Sequence, residues 1–167
     1  DRGLTGMDTI KVADGRFSYE TTLGDEATFI IVFPNYSELP VFGKSGTTAE
    51  ISGDASHLKE VEIHGEKNNE DMTAFRLSVA NMTPPQAKKA AEEYISKNPK
   101  SIVSLYLIRK YLINTKEPDY EKAYTLTKAM VDADKNNAGA SMLLSQLKEL
   151  RHVKKGGRLP SFSATDI

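Results

Sequence analysis

The chain has 167 residues, of which 39% are hydrophobic and 27% are charged, and its formal net charge is −1 at pH 7. This composition is typical of a folded globular chain and excludes an intrinsically disordered one. Because the chain contains no cysteine, disulfide bonds, thiolate metal sites and cysteine nucleophiles are excluded within it. The sequence has no apolar run long enough to predict a membrane span, and residues 1–4 are not typical of a signal peptide.

Charge divides the chain into two parts of opposite sign. Residues 1–80 contain seven Lys and Arg against fourteen Asp and Glu, whereas residues 81–167 contain fifteen against nine. This asymmetry predicts two subdomains, an acidic one over 1–80 and a basic one over 81–155. The lysines of the basic part are spread over several predicted helices and do not form one patch interleaved with aromatic residues, so we expect no binding of nucleic acid.

The acidic part begins with two predicted β elements. Residues 8–12 and 17–20 alternate apolar and polar side chains, and Asp14-Gly15 between them is a strong signal for a hairpin turn. Residues 28–33 form a nearly continuous run of apolar and β-branched side chains. That run predicts a strand buried on both faces in the middle of a sheet.

Shorter strands follow along the acidic part. Residues 39–42 predict a strand that Pro40 restricts to a sheet edge or a strand start. Two further strands, at 48–52 and 58–64, each follow a glycine-containing turn. Short strands with this spacing predict an antiparallel meander, folded as a sandwich or a half-open barrel.

The basic part predicts a bundle of about four helices, so the whole chain belongs to the α+β class. Thr83 stands before the first helical pattern as an N-cap, Ser101 starts the second pattern, and Pro118-Asp119 begins the third. The second helix is apolar nearly all round, which predicts a central position among the others. A fourth helical pattern uses four apolar residues, namely Met142, Leu143, Leu147 and Leu150.

Tyrosines are the candidate site residues of these helices. At helical spacing, tyrosines are more often core residues with a hydrated hydroxyl than the lining of a ligand groove. The sequence therefore offers a candidate interaction surface, with that core role as the alternative. Its residues are Tyr94, Tyr106, Tyr111, Tyr120 and Tyr124.

Two groups of residues could form a functional site, one for a metal ion and one for hydrolysis, and we assign neither function. Potential metal ligands recur at every second position, namely Glu60, Glu62, His64 and Glu66. One strand face would display them, but exposed charges on a half-buried strand explain the pattern without a metal. A hydrolytic site on Asp54, His57 and His64 lacks a nucleophile motif, so we predict no catalytic, cofactor-binding or metal-binding residue.

Two stretches resemble known families. The first resemblance rests on Asp8-Thr9-Ile10, Asp14-Gly15-Arg16-Phe17, the apolar strand to Phe33, Gly46 to Ile51, Gly53-Asp54, Val61 to Gly65, and Asn68-Asn69-Glu70. In this order, residues 8–76 resemble the domain of unknown function found ahead of thioredoxin-like domains in bacterial envelope lipoproteins. Pro160, Phe162 and Asp166 resemble the segment that leads into the first strand of thioredoxin-like domains of the peroxiredoxin and thiol-disulfide oxidoreductase superfamily.

The resemblances imply an accessory role without chemistry of its own. Residues 156–167 would be a linker and the first strand of a thioredoxin-like domain of the same polypeptide. The parent protein would be an envelope or periplasmic thiol-disulfide oxidoreductase with a lipid anchor. The chain would position partners, present a protein substrate or form a homo-oligomer. The alternative is a freestanding envelope module that binds a peptide or glycan through a sheet edge or the tyrosine-bearing helices.

Overall fold

A computed structural model of the chain describes residues 6–54 and 57–151. Within them, two small antiparallel sheets precede five helices, which confirms the predicted α+β class. The strands are β1 (Ala27–Val32), β2 (Glu38–Gly43), β3 (Glu50–Ser52) and β4 (Glu62–His64). The helices are α1 (Lys67–Val79), α2 (Pro84–Lys97), α3 (Ile102–Ile108), α4 (Tyr120–Ala133) and α5 (Ala138–Leu150). The predicted linker and strand at 156–167 lie outside the described residues.

The strands pair as two hairpins, β1 with β2 and β3 with β4. The strand predicted at 28–33 is confirmed as β1, but its predicted place in the middle of a sheet is wrong. Among the described residues β1 pairs with β2 alone, and the Val32 side chain is 57% exposed. Only the face bearing Phe29 and Ile31 packs on the buried apolar cluster of the sheets.

The hairpin predicted at 8–20 forms its turn without its strands. Asp14 and Gly15 both have positive φ, 52° and 71°, and Ala13 and Arg16 exchange two backbone hydrogen bonds of 2.9 Å. Beyond this single bridge, residues 6–12 and 17–23 do not form a ladder. A two-stranded hairpin needs an apolar face packed on other elements, and here Phe17 and Tyr19 stay 42% and 47% exposed.

The second sheet is shorter than its sequence pattern suggested. Residues 58–60 form a 3₁₀ turn before β4, so the strand predicted at 58–64 is reduced to its last three residues. Gly65 follows β4 with φ of 94°, and a Cβ there would lie 2.3 Å from the backbone oxygen of Thr48. Only glycine fits this position. Val61 and Ile63 are buried against Leu39 and Val41 of β2.

Three helices begin directly after a residue whose side chain caps them. Ser101, Asp119 and Asn137 each accept a hydrogen bond from a backbone N–H in the first turn of α3, α4 and α5, which satisfies donors that the helix itself leaves unpaired. The central position predicted for α3 is confirmed, because Val103 and Leu107 are fully buried. Its axis continues through a π-helical turn at Arg109–Ile113.

The first helix, α1, was not predicted. Its buried face carries polar side chains that bond the backbone of the strands. Asn69 is fully buried, and its side-chain amide accepts from the Phe42 N–H (2.7 Å) and donates to the Phe42 C=O (2.8 Å). One turn later, Thr73 Oγ1 accepts from the Ile63 N–H (3.4 Å), and Arg76 donates to the Val61 C=O. Spacings of four and three place these three side chains on one helix face.

This face, which we call the polar stripe of α1 (Asn69, Thr73 and Arg76), binds the backbone of both sheets. A buried backbone N–H or C=O without a partner is costly, so the stripe substitutes for a neighbouring strand along β2 and β4. Met72 and Phe75 of the same helix pack into the buried cluster of α2–α5, together with Phe42 of β2. The subdomain boundaries predicted at residues 80 and 155 remain predictions.

Replacing Asn69 by alanine should lower the free energy of unfolding by about 2–4 kcal/mol, because it leaves two buried backbone groups of Phe42 unpaired. Urea denaturation followed by circular dichroism measures the change. Glu70→Ala, on the exposed side of the same helix, is the control and should change stability by less than about 0.5 kcal/mol. A loss below about 1 kcal/mol for Asn69→Ala would contradict the bridging role of the amide.

Candidate functional site

Three of the five candidate tyrosines surround two buried phenylalanines. Tyr94 and Tyr111 both meet Phe75 edge-on, with ring centroids 5.6 and 6.0 Å apart. Tyr106 meets Phe42 in the same way at 6.2 Å. Edge-to-face contacts of this kind add to the energy of burial. These tyrosines are half-buried, so each contributes an apolar body to the core as well as a surface.

Tyr106 lies where β2, α1 and α3 meet, among charged side chains. Lys110 Nζ lies 5.7 Å from the centre of the Tyr106 ring and donates a long hydrogen bond of 3.4 Å to its hydroxyl. Burial, and then the Glu38 carboxylate, raise the pKa of Tyr106 above its ordinary value of 10. Burial also lowers the pKa of the Arg76 guanidinium. Tyr106 therefore keeps its proton and can donate a hydrogen bond throughout the neutral range.

The other two candidate tyrosines lie on α4. Tyr120 and Tyr124 are half-buried against the helical core, and the Arg151 guanidinium lies 4.2 Å from the centre of the Tyr124 ring. Such a contact between a cation and a ring face is attractive. The structure thus divides the tyrosines into a group around the two phenylalanines and a pair on α4. The assignment of all five to an interaction surface remains a prediction.

The sequence did not predict a groove between the π-helical turn and α5. Its volume is about 420 Å³. Leu143 and Leu147 form a buried floor, whereas Leu150 is 38% exposed at the rim. The residues that line this groove, which we call the α5 groove, are Arg109, Ile113, Asn114, Leu143, Gln146, Leu147, Glu149 and Leu150.

The π-helical turn shapes one wall of the α5 groove. The Asn114 N–H donates to the Arg109 C=O over 2.7 Å, so the turn closes over five residues, where an α-helix closes over four. Burial lowers the pKa of the Arg109 guanidinium. Glu149 lines the same groove, which therefore combines an apolar floor with charges of both signs.

The potential metal ligands do not share one strand. Glu62 and His64 lie on β4 and contact each other at 3.0 Å, but Glu60 belongs to the 3₁₀ turn and Glu66 caps α1. His57 contacts Asp54 at 3.3 Å, whereas His64 pairs with Glu62. In the described parts of the chain, no cluster of three or more such residues could hold a metal ion.

Sequence reasoning missed two features, of which only the first has a signal in the sequence. Met72, Phe75 and Val79 follow helical spacing and mark α1. The α5 groove has no comparable signal, because the apolar pattern of the second predicted helix runs unbroken through the π-helical turn.

The raised pKa of Tyr106 predicts a pH dependence of stability. Tyr106 ionises near pH 10 in the unfolded chain and at higher pH in the folded one, so the folded state holds the proton longer. The free energy of unfolding should therefore fall as pH rises above 10, at up to about 1.4 kcal/mol per pH unit. Tyr106→Phe should remove this part of the decline.

Urea denaturation at several values between pH 8 and pH 11 tests this difference. Tyr36→Phe, which alters a side chain that is almost fully exposed, controls for the loss of one phenol group. Equal slopes for the original chain and Tyr106→Phe would show that Tyr106 is not responsible.

Comparison with known proteins gives one family match. Residues 1–72 match the model of a domain of unknown function, DUF4369. No curated protein and no solved structure matches the chain significantly. No helix in the described residues is long and apolar enough to cross a membrane. Over residues 1–72 the chain is thus similar to a domain of unknown function, which agrees with the expectation of such a domain in this part of the chain.

Proposed function

We propose that the chain is a non-catalytic accessory module of an envelope thiol-disulfide oxidoreductase. In this proposal, the helices hold a thioredoxin-like domain of the same polypeptide and position it relative to its protein partners. The match of residues 1–72 to DUF4369 and the resemblance of Pro160, Phe162 and Asp166 to the start of a thioredoxin-like domain support it. The periplasmic or envelope location and the lipid anchor are parts of the same proposal.

The α5 groove is the observation that carries the proposal. It has an apolar floor, and α5 leaves Met142 59% exposed one turn from it. Helices of globular proteins bury their apolar side chains against a neighbouring element. Among the described residues, the outer face of α5 leaves Met142 59% exposed and Leu150 38% exposed. We assign this face to the thioredoxin-like domain.

Sequence order favours that occupant. The α5 helix ends at Leu150, ten residues before Pro160, where the resemblance to a thioredoxin-like domain begins. A tether of this length holds the two parts at an effective concentration in the millimolar range, so a modest apolar contact is enough for docking. Arg109 and Glu149, which both line the groove, would select a partner surface with complementary charges.

Intact mass spectrometry of the native protein, before and after thiol alkylation, tests the oxidoreductase assignment. We expect a mass above the 18.4 kDa of this chain by about one further domain, together with two alkylatable thiols. A native protein that ends near Ile167 without thiols would contradict the assignment and favour the freestanding binding module.

The docking assignment has its own test in the full-length protein. Leu150→Glu should release the thioredoxin-like domain from the α5 groove, since it places a charge in an apolar contact. Hydrogen exchange of α5 and of residues 109–114 should then rise about tenfold, which corresponds to about 1.4 kcal/mol of lost protection.

Ser145→Glu is the matched control, because it adds the same charge to α5 at an exposed position that does not line the groove. It should leave the exchange unchanged. If a thiol-bearing full-length protein showed no effect of Leu150→Glu, the docking face would be wrong although the oxidoreductase assignment would stand.

A further inference from the structure

The hydrogen-bonding pattern of the first sheet shows which backbone groups face its outer edge. Both backbone groups of Phe42 bond the Asn69 amide, so Phe42 exchanges no hydrogen bonds with Thr28, its partner in the register. Pro40, opposite Ile30, has no N–H to offer. Antiparallel ladders alternate between bonded and non-bonded pairs. The N–H and C=O groups of Thr28, Ile30 and Val32 therefore point away from β2.

No described residue pairs with this outer edge of β1, whereas α1 covers the outer edge of β2. The polar stripe of α1 covers β2 through Asn69. Within residues 6–54 and 57–151, by contrast, no hydrogen bond reaches the outward groups of β1. The strand Ala27–Val32 contains no charged residue, proline or glycine. Charged residues and proline are among the devices by which proteins protect an exposed strand edge from pairing.

We propose that β1 pairs with β1 of a second copy of this chain, antiparallel and with Ile30 opposite Ile30 of the partner. In this register, Thr28 lies opposite the partner's Val32, and Val32 lies opposite the partner's Thr28. Each of these pairs exchanges both of its hydrogen bonds, because all three residues carry outward groups. The product is one four-stranded sheet in the order β2-β1-β1-β2, related by a twofold axis.

The charges beside β1 favour this antiparallel register. Asp25 and Glu26 precede the strand, whereas Pro34 and Asn35 follow it. Antiparallel pairing about Ile30 places Glu26 opposite Pro34, and Asp25 opposite Asn35, so no like charges meet. Parallel pairing would place the acidic residues of the two copies side by side, which is destabilising.

The apolar face of β1 also continues across the twofold axis. Phe29, Ile31 and Phe33 are only partly buried on the apolar cluster of the sheets, and pairing extends that cluster with the same residues of the second copy. Sheets of three or more strands are more stable than two-stranded ones. A six-residue strand buries less than the roughly 1,200 Å² typical of a stable complex, so we expect a weak dimer with a Kd on the order of 100 µM.

Two double variants of the 167-residue chain test the register. Thr28→Lys with Val32→Lys places lysines opposite each other twice across the proposed axis, and should weaken dimerisation at least about tenfold. Thr28→Glu with Val32→Lys is the matched variant. It places opposite charges at the same two contacts, and should keep the Kd within about threefold of the original.

Sedimentation equilibrium from about 5 µM to about 1 mM measures the Kd, and circular dichroism confirms that each variant folds. Hydrogen exchange of the Thr28, Ile30 and Val32 amides should slow as the concentration rises. A chain that stays monomeric at 1 mM, or a dimer that both double variants weaken equally or not at all, would overturn the proposal. Protection of these amides at every concentration would also overturn it, because residues 6–23 or another part of the same chain would then cover the edge.

Discussion

The polar stripe of α1 holds both sheets in place through its hydrogen bonds to the strand backbones. Within the part of the chain that the structure describes, each sheet has only two strands, too few for independent stability in water. Asn69 replaces a missing strand for β2, and Thr73 and Arg76 do the same for β4. Met72 and Phe75 of the same helix enter the helical core beside Phe42 of β2, so α1 links both small hairpins to the bundle.

The two surfaces assigned to partners lie where α1 does not reach. It covers the outer edge of β2 but not the edge of β1, and it contacts α2 and α3 but lines no part of the α5 groove. The edge of β1 presents backbone N–H and C=O groups, which a further strand can bond. The α5 groove presents apolar side chains, which an apolar domain surface can cover. The proposed dimer and the proposed docking of a thioredoxin-like domain can therefore exist in the same protein.

Sequence patterns correctly predicted the elements that the local sequence alone determines. The strand β1, the starts of α3 and α4 at Ser101 and Asp119, and the central position of α3 were predicted correctly because local sequence patterns determine them. The α1 helix was missed because Asn69 and Thr73 on its buried face look like surface residues until their backbone partners are known. The hairpin at 8–20 was overpredicted, since its turn is local but its strands need a surface to pack on. The α5 groove depends on a π-helical turn that apolar periodicity does not mark.

Native-state hydrogen exchange of the Phe42 and Ile63 amides tests the role of α1 most directly. Both N–H groups donate to side chains of α1, and neither can exchange until that helix moves away. We predict that they open with the same free energy as the amide of Leu107 in the central helix, which reports global unfolding. If Phe42 and Ile63 instead exchanged through local openings that cost several kcal/mol less than those of Leu107, the sheets would not depend on α1.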